Sequence, residues 1–100
     1  MSKPLPEVLD ELRALKPELH QRFGVRSLAV FGSRATETDT DASDLDLLVR
    51  FEESARPTMF SLSNMDTLLE ERLGLRVDTV PESCVNPRIE PYIRTTLREV

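Results

Sequence analysis

Apolar residues recur early in the chain at helical spacing: Val8, Leu12, Leu15, Leu19 and Phe23 fall at steps of four, three, four and four. One face of a helix repeats at this interval, so the pattern predicts an amphipathic helix over about residues 6–23, with its stripe in the core. Pro17 lies inside that span and lacks a backbone donor, which predicts a kink or a restart there. Gly24 ends the segment, and Ser27-Leu28-Ala29-Val30-Phe31 then reads as a short buried strand running into Gly32. Thr36 to Ser43 is polar and acidic, with no apolar residue larger than Ala42, and belongs at the surface.

The period then changes to two. Leu45, Leu47, Val49 and Phe51 share one face of a second strand, and Asp44, Asp46, Leu48 and Arg50 share the other. After a loop around Pro57, the spacing of Leu62, Met65, Leu69 and Leu73 returns to that of a helix, which Gly74 is placed to end. A third strand follows, with Leu75, Val77 and Thr79 pointing one way and Arg76, Asp78 and Val80 the other. Asn86-Pro87 offers a cap and first-turn proline for a final helix carrying Ile89, Ile93, Leu97 and Val100, and Pro91 is placed to delay its start by a turn.

This order predicts an α+β fold. Thirteen residues without periodic structure separate Phe31 from Leu45, too little for a parallel crossover, so the first two strands should pair antiparallel. The helix between the second and third strands suits a right-handed parallel crossover. The expected product is a small mixed three-stranded sheet, with room for an extra short strand, and helices packed on one face.

Composition narrows the function. One hundred residues, 39% hydrophobic and 31% charged, are expected to form a single domain over 1–100 that folds in water. No apolar run reaches the roughly 18–20 residues of a membrane span, and Met1-Ser2-Lys3-Pro4 lacks the apolar segment of a signal peptide, so a cytoplasmic location is expected. With one cysteine (Cys84) and one histidine (His20) there is no disulfide and no zinc set, and any metal must be held by oxygen. A net charge of -5 disfavours free-standing nucleic-acid binding, and Arg88, Arg94 and Arg98 alternate with Glu90 and Glu99 as on a solvated helix face. Cys84 reads as a small packing residue, His20 as a surface residue and Tyr92 as half-buried.

The candidate chemistry lies where the first two strands meet. Antiparallel pairing brings Gly32-Ser33, ending the first strand, to the sheet edge where Asp44-Leu45-Asp46 begins the second. Gly32 lets a ligand approach the backbone, and Ser33 offers an amide and a hydroxyl to phosphate oxygens. Asp44 and Asp46 project from the same face, and the crossover would bring Asp78 beside them. Aspartate is depleted from strands, so carboxylates flanked by Leu, Val and Phe call for an explanation that a shared Mg²⁺ supplies. A calcium loop over Asp39, Asp41 and Ser43 fails, because Asp44 occupies its glycine position and Arg50 its bidentate glutamate position.

These residues carry a resemblance. Phe31-Gly32-Ser33-Arg34-Ala35, with nine residues between Gly32-Ser33 and Ser43-Asp44-Leu45-Asp46-Leu47-Leu48-Val49, resembles the signature of DNA polymerase beta-type nucleotidyltransferases. Leu73-Gly74-Leu75-Arg76-Val77-Asp78-Thr79-Val80 and Pro87-Arg88-Ile89-Glu90-Pro91-Tyr92-Ile93 are similar to the minimal members, which extends the likeness over most of the chain.

The resemblance implies that Gly32 and Ser33, with Arg34 and Ser43 of the same motif, bind the nucleotide. It implies that Asp44, Asp46 and Asp78 are catalytic and bind two Mg²⁺ ions, Asp78 also helping to activate the attacking hydroxyl. The implied reaction moves a nucleoside monophosphate, AMP from ATP, onto a protein acceptor, a tyrosine of a HEPN-domain toxin that the chain opposes as antitoxin. One departure stands out: minimal members continue with Ala-Arg-Gly, where this chain has Ala35-Thr36-Glu37. A module that neutralises its partner by contact, or a homo-oligomeric nucleotide sensor, therefore stays open beside the enzyme. So short a chain also has limited capacity for burial, which predicts an apolar surface covered by a partner or a second copy.

Overall fold

A computed structural model describes residues 4–32 and 44–100. Helix α1 (Leu5–Phe23) leads into strand β1 (Val25–Phe31), and β2 (Leu45–Phe51) is followed by α2 (Met59–Leu73). Strand β3 (Val77–Pro81), a single 3-10 turn (Glu82–Cys84), α3 (Glu90–Thr96) and the two-residue strand β4 (Arg98–Glu99) complete the chain. The sheet runs β3-β2-β1-β4, with β1 antiparallel to β2 and to β4, and β2 parallel to β3.

The expected stripe holds α1 against the sheet: Val8, Leu12, Leu15 and Leu19 are buried in one cluster with Leu28, Val30, Leu45, Leu47, Val49, Met65, Leu69 and Leu73. Pro17 does not break this helix, which is continuous from Leu5 to Phe23. Proline removes one hydrogen bond, but Pro17 is exposed, and leucines of the stripe on both sides of it anchor the helix to the core. Helix α2 begins three residues before the apolar stripe, where the Thr58 hydroxyl accepts the Ser61 amide at 3.1 Å.

The end of the chain departs most from its periodicity. The predicted helix through Val100 stops at Thr96, and Leu97 turns to extended backbone. Arg98 and Glu99 then pair with Val30 and Ala29, and the Val100 amide reaches the Leu28 carbonyl at 3.1 Å. The outer edge of β1 needs a partner, and that demand overrides the helical spacing of Leu97 and Val100. Asn86 does cap a turn, its side chain accepting the Arg88 amide at 2.9 Å, but Pro91 holds the start of α3 back to Glu90. The third strand begins at Val77 rather than Leu75, because Gly74 closes α2 in a left-handed conformation and the chain must still cross to the sheet. Cys84 is exposed, not packed.

Two glycines cap the long helices at positive φ, Gly24 at 73° and Gly74 at 69°. They differ in surroundings. A Cβ on Gly74 would meet nothing within 4 Å, whereas one on Gly24 would lie 2.7 Å from the Ala55 Cβ. Gly74→Ala is therefore expected to cost about 1–2 kcal/mol, the left-handed strain alone, and Gly24→Ala distinctly more. Thermal melting of the two variants checks this, and equal melting temperatures would contradict the packing of Gly24 on Ala55.

Candidate active site

The antiparallel β1–β2 pair places Phe31 opposite Asp46, so Gly32 emerges from β1 beside the start of β2. Gly32 adopts φ 79°, and a Cβ there would stand 2.5 Å from Asp46 Oδ2. Any side chain here would have to displace the Asp46 carboxylate, and the left-handed φ itself favours glycine. The Gly32 amide donates to the Thr96 hydroxyl at 3.1 Å, a contact that joins the end of β1 to the last turn of α3.

On its other side Asp46 is the register partner of Asp78. Paired residues of adjacent strands face the same way, and such strands lie about 4.8 Å apart, so the two carboxylates stand side by side. Asp44, one residue ahead of β2, shares their face by the two-residue period. Asp44 and Asp78 are exposed and Asp46 is half-buried. Burial pushes the Asp46 carboxyl above the ordinary carboxylate range, and the charges of Asp78 and then Asp44 push it further. Among the described residues, the fold thus gathers three carboxylates on one sheet face.

Among the described residues, no three acidic, histidine or cysteine side chains converge tightly enough to hold a metal ion by themselves. The donor set fits a different arrangement. Mg²⁺ commonly takes one or two carboxylates together with substrate phosphates, and a carboxylate such as Asp46, whose charged form is disfavoured by burial and by its acidic neighbours, is suited to a cation brought in with an anionic ligand. Ser33, Arg34 and Ser43, the other expected nucleotide-binding positions, lie outside the described residues, as does the Thr36-Glu37 departure.

Two residues near the site escaped the sequence reading. Asp66 of α2 accepts the Thr79 hydroxyl at 2.5 Å. Its carboxyl is pushed up by burial, and the charges of Asp78 and Glu70 add to this while the Thr79 hydrogen bond opposes it. Its position one residue after Met65, on the flank of the α2 stripe, was the available signal. Thr96 gave none, since its contact depends on the unexpected end of α3.

The same sheet face carries a cleft of about 640 Å³, lined by Ala29, Leu48, Arg50, Ile93, Arg94 and Leu97 among others. Helix α3 thus covers the side of β1 opposite the α1–α2 core. The cations of this cleft are committed: Arg50 to Glu82 at 2.8 Å, Arg94 to Glu90 at 2.5 Å and Lys16 to the Val100 carbonyl at 3.2 Å. Asp44, Asp46 and Asp78 do not line it. His20 is a surface residue, as expected, with Nδ1 3.1 Å from the Val25 carbonyl. Tyr92 is about half exposed, and Met59 and Phe60 are largely exposed. No described helix is long and apolar enough to cross a membrane.

Residues 12–99 match the nucleotidyltransferase domain family. The chain belongs to this family, and it is a nucleotidyltransferase. Among curated relatives, the protein adenylyltransferase MntA of Thermococcus cleftensis is 43% identical over 96% of this chain and 92% of its own length. A solved structure described as a minimal nucleotidyltransferase is 35% identical, superposes with a TM-score of 0.77, and covers 98% of this chain and 97% of its own. The fold also matches that of a chain in a complex described as a tri-AMPylated Shewanella oneidensis HEPN toxin with its MNT antitoxin. That match has 16% identity and a TM-score of 0.64, and covers 91% of this chain and 68% of the other.

Proposed function

We propose that this chain transfers AMP from ATP to a tyrosine of a HEPN-domain toxin and so acts in the cytoplasm as the toxin's antitoxin. The observation that carries the reading is the register of Asp46 with Asp78, with Asp44 on the same face and Gly32 against the Asp46 carboxylate. The name of the Thermococcus relative supports protein as the acceptor, and the Shewanella complex supports AMP as the group moved and a HEPN protein as its recipient.

In the reaction the tyrosine oxygen bonds to the α-phosphorus, the bond from that phosphorus to the β-phosphate bridging oxygen breaks, and pyrophosphate leaves. Asp44, Asp46 and Asp78 are the residues that would hold two Mg²⁺ ions. Such ions stabilise the charge on the entering and leaving oxygens. Asp78, exposed at the sheet edge, would accept the phenolic proton, and Gly32 would admit the triphosphate to the backbone.

The replacement of Arg-Gly by Thr36-Glu37 removes a cation beside the triphosphate and favours a second reading, neutralisation of the partner by contact alone. One experiment separates them. The chain is mixed with its HEPN partner and ATP, with Mg²⁺ or with excess chelator, and the partner's mass and toxicity are read. AMP added to the partner with Mg²⁺ and lost with chelator is the expected result. Loss of toxicity with no added mass in either arm would establish the contact-only module.

A further inference from the structure

We propose that Thr96 is a positioning residue for triphosphate binding, acting through the amide of Gly32. The proposal rests on the reading of Gly32 as a triphosphate-binding residue. The Thr96 hydroxyl has two obligations. It accepts the Gly32 N–H at 3.1 Å, and it lies 3.0 Å from the Tyr92 carbonyl and 3.3 Å from the Ile93 carbonyl, either of which takes its proton. A hydroxyl that donates back into its own helix has a fixed orientation, and its remaining lone pair then faces the Gly32 amide.

This anchor matters because of what Gly32 does next. Its left-handed φ and its contact with Asp46 leave it little room on the carboxylate side. A rotation of the peptide between Phe31 and Gly32 would either drive the backbone into Asp46 or carry the glycine away from it. By holding the amide, Thr96 sets the spacing between the glycine that meets phosphate and the carboxylate that meets metal. The signal to do so comes from the far end of the chain, sixty-four residues along the sequence. Helix α3 is itself fixed, with Ile93 buried against the sheet, so the hydroxyl is presented from a packed element.

Three variants of the full chain test this: Thr96→Ser, Thr96→Cys and Thr96→Val. Serine keeps the acceptor, valine keeps the shape without it, and cysteine differs from serine only in a sulfur that accepts weakly. Each is titrated calorimetrically with ATP in Mg²⁺ at a temperature where melting curves show it folded. The expected result is wild-type affinity within about twofold for Thr96→Ser, a several-fold loss for Thr96→Cys and roughly a tenfold loss for Thr96→Val, about 1.4 kcal/mol. If Thr96→Val does not fold, the serine and cysteine pair carries the comparison. Cysteine and valine variants that melt lower yet bind ATP as tightly as wild type would reduce Thr96 to a structural contact and overturn the proposal. Failure of the wild-type chain to bind ATP with Mg²⁺ would instead overturn the reading of the site on which it rests.

Discussion

Asp46→Asn is expected to abolish nucleotidyl transfer while leaving the metal-free protein as stable as before or more so. The two effects have one cause. In the folded chain the Asp46 carboxyl titrates above the 3.8 of an ordinary aspartate, through burial first and the charges of Asp78 and Asp44 second. Below that ordinary value the carboxyl is protonated in both the folded and unfolded chain, and the site carries no penalty. As pH rises through the raised folded value, the folded state holds a charge that the unfolded state holds more easily, so stability is lost. The amide never ionises. The melting temperature of the variant should therefore equal or exceed that of wild type at neutral pH, with the gap closing in acid.

Transfer should respond in the opposite direction. A neutral amide is a poor ligand for Mg²⁺, and the displacement at phosphorus depends on charge stabilisation at two oxygens. A loss of roughly a thousandfold corresponds to about 4 kcal/mol of transition-state stabilisation. Asp44→Asn and Asp78→Asn should lose activity on the same scale. Melting without metal across a pH series, beside mass analysis of the acceptor, reads both effects. A variant that transfers AMP at wild-type rate, or that melts well below wild type at neutral pH, would remove Asp46 from the role assigned to it.

The second large effect is expected at Gly32. Alanine there must adopt φ near 79° and place its Cβ 2.5 Å from Asp46 Oδ2. The left-handed conformation alone costs about 1–2 kcal/mol; displacement of the carboxylate adds to that and moves a proposed metal ligand. Gly32→Ala should therefore both destabilise the fold and lose Mg²⁺-dependent ATP binding. The clash can be isolated by pairing it with Asp46→Ala, which removes the colliding oxygen. In the double variant only the backbone strain should remain, so it should be more stable than the sum of the two single effects by about 1 kcal/mol. Strict additivity would show that the close approach of Gly32 to Asp46 does not exist in solution.

Much of this site was legible in the sequence because it depends on short-range periodicity. The two-residue period of Leu45–Phe51 assigns Asp46 to a face, and the length of the α2 crossover implies a parallel β3, which together bring Asp78 to Asp46. The α1 stripe was equally plain, since its buried residues alone set its spacing. The end of the chain was not legible. Leu97 and Val100 fit a helix as well as they fit an extended tail, and only the open edge of β1, a tertiary demand, decides between them. Thr96 was hidden for the same reason, because its partner is a backbone amide with no mark in the sequence. Pro17 misled because a local rule was applied where the packing of a long stripe outweighs one missing hydrogen bond.

The pairing of Asp46 with Asp78 also constrains how the chain can change in length. Side chains alternate across a strand, so shifting β3 by a single residue would turn Asp78 toward the core and bring Val77 or Thr79 to the face that carries Asp46. Insertions or deletions between Gly74 and Val77 therefore differ in kind according to whether they are odd or even. An odd change inverts the strand and dismantles the site even if the fold survives. An even change slides Asp78 along the same face. The turn after α2 carries no catalytic group, yet its residue count determines whether the third carboxylate belongs to the site at all.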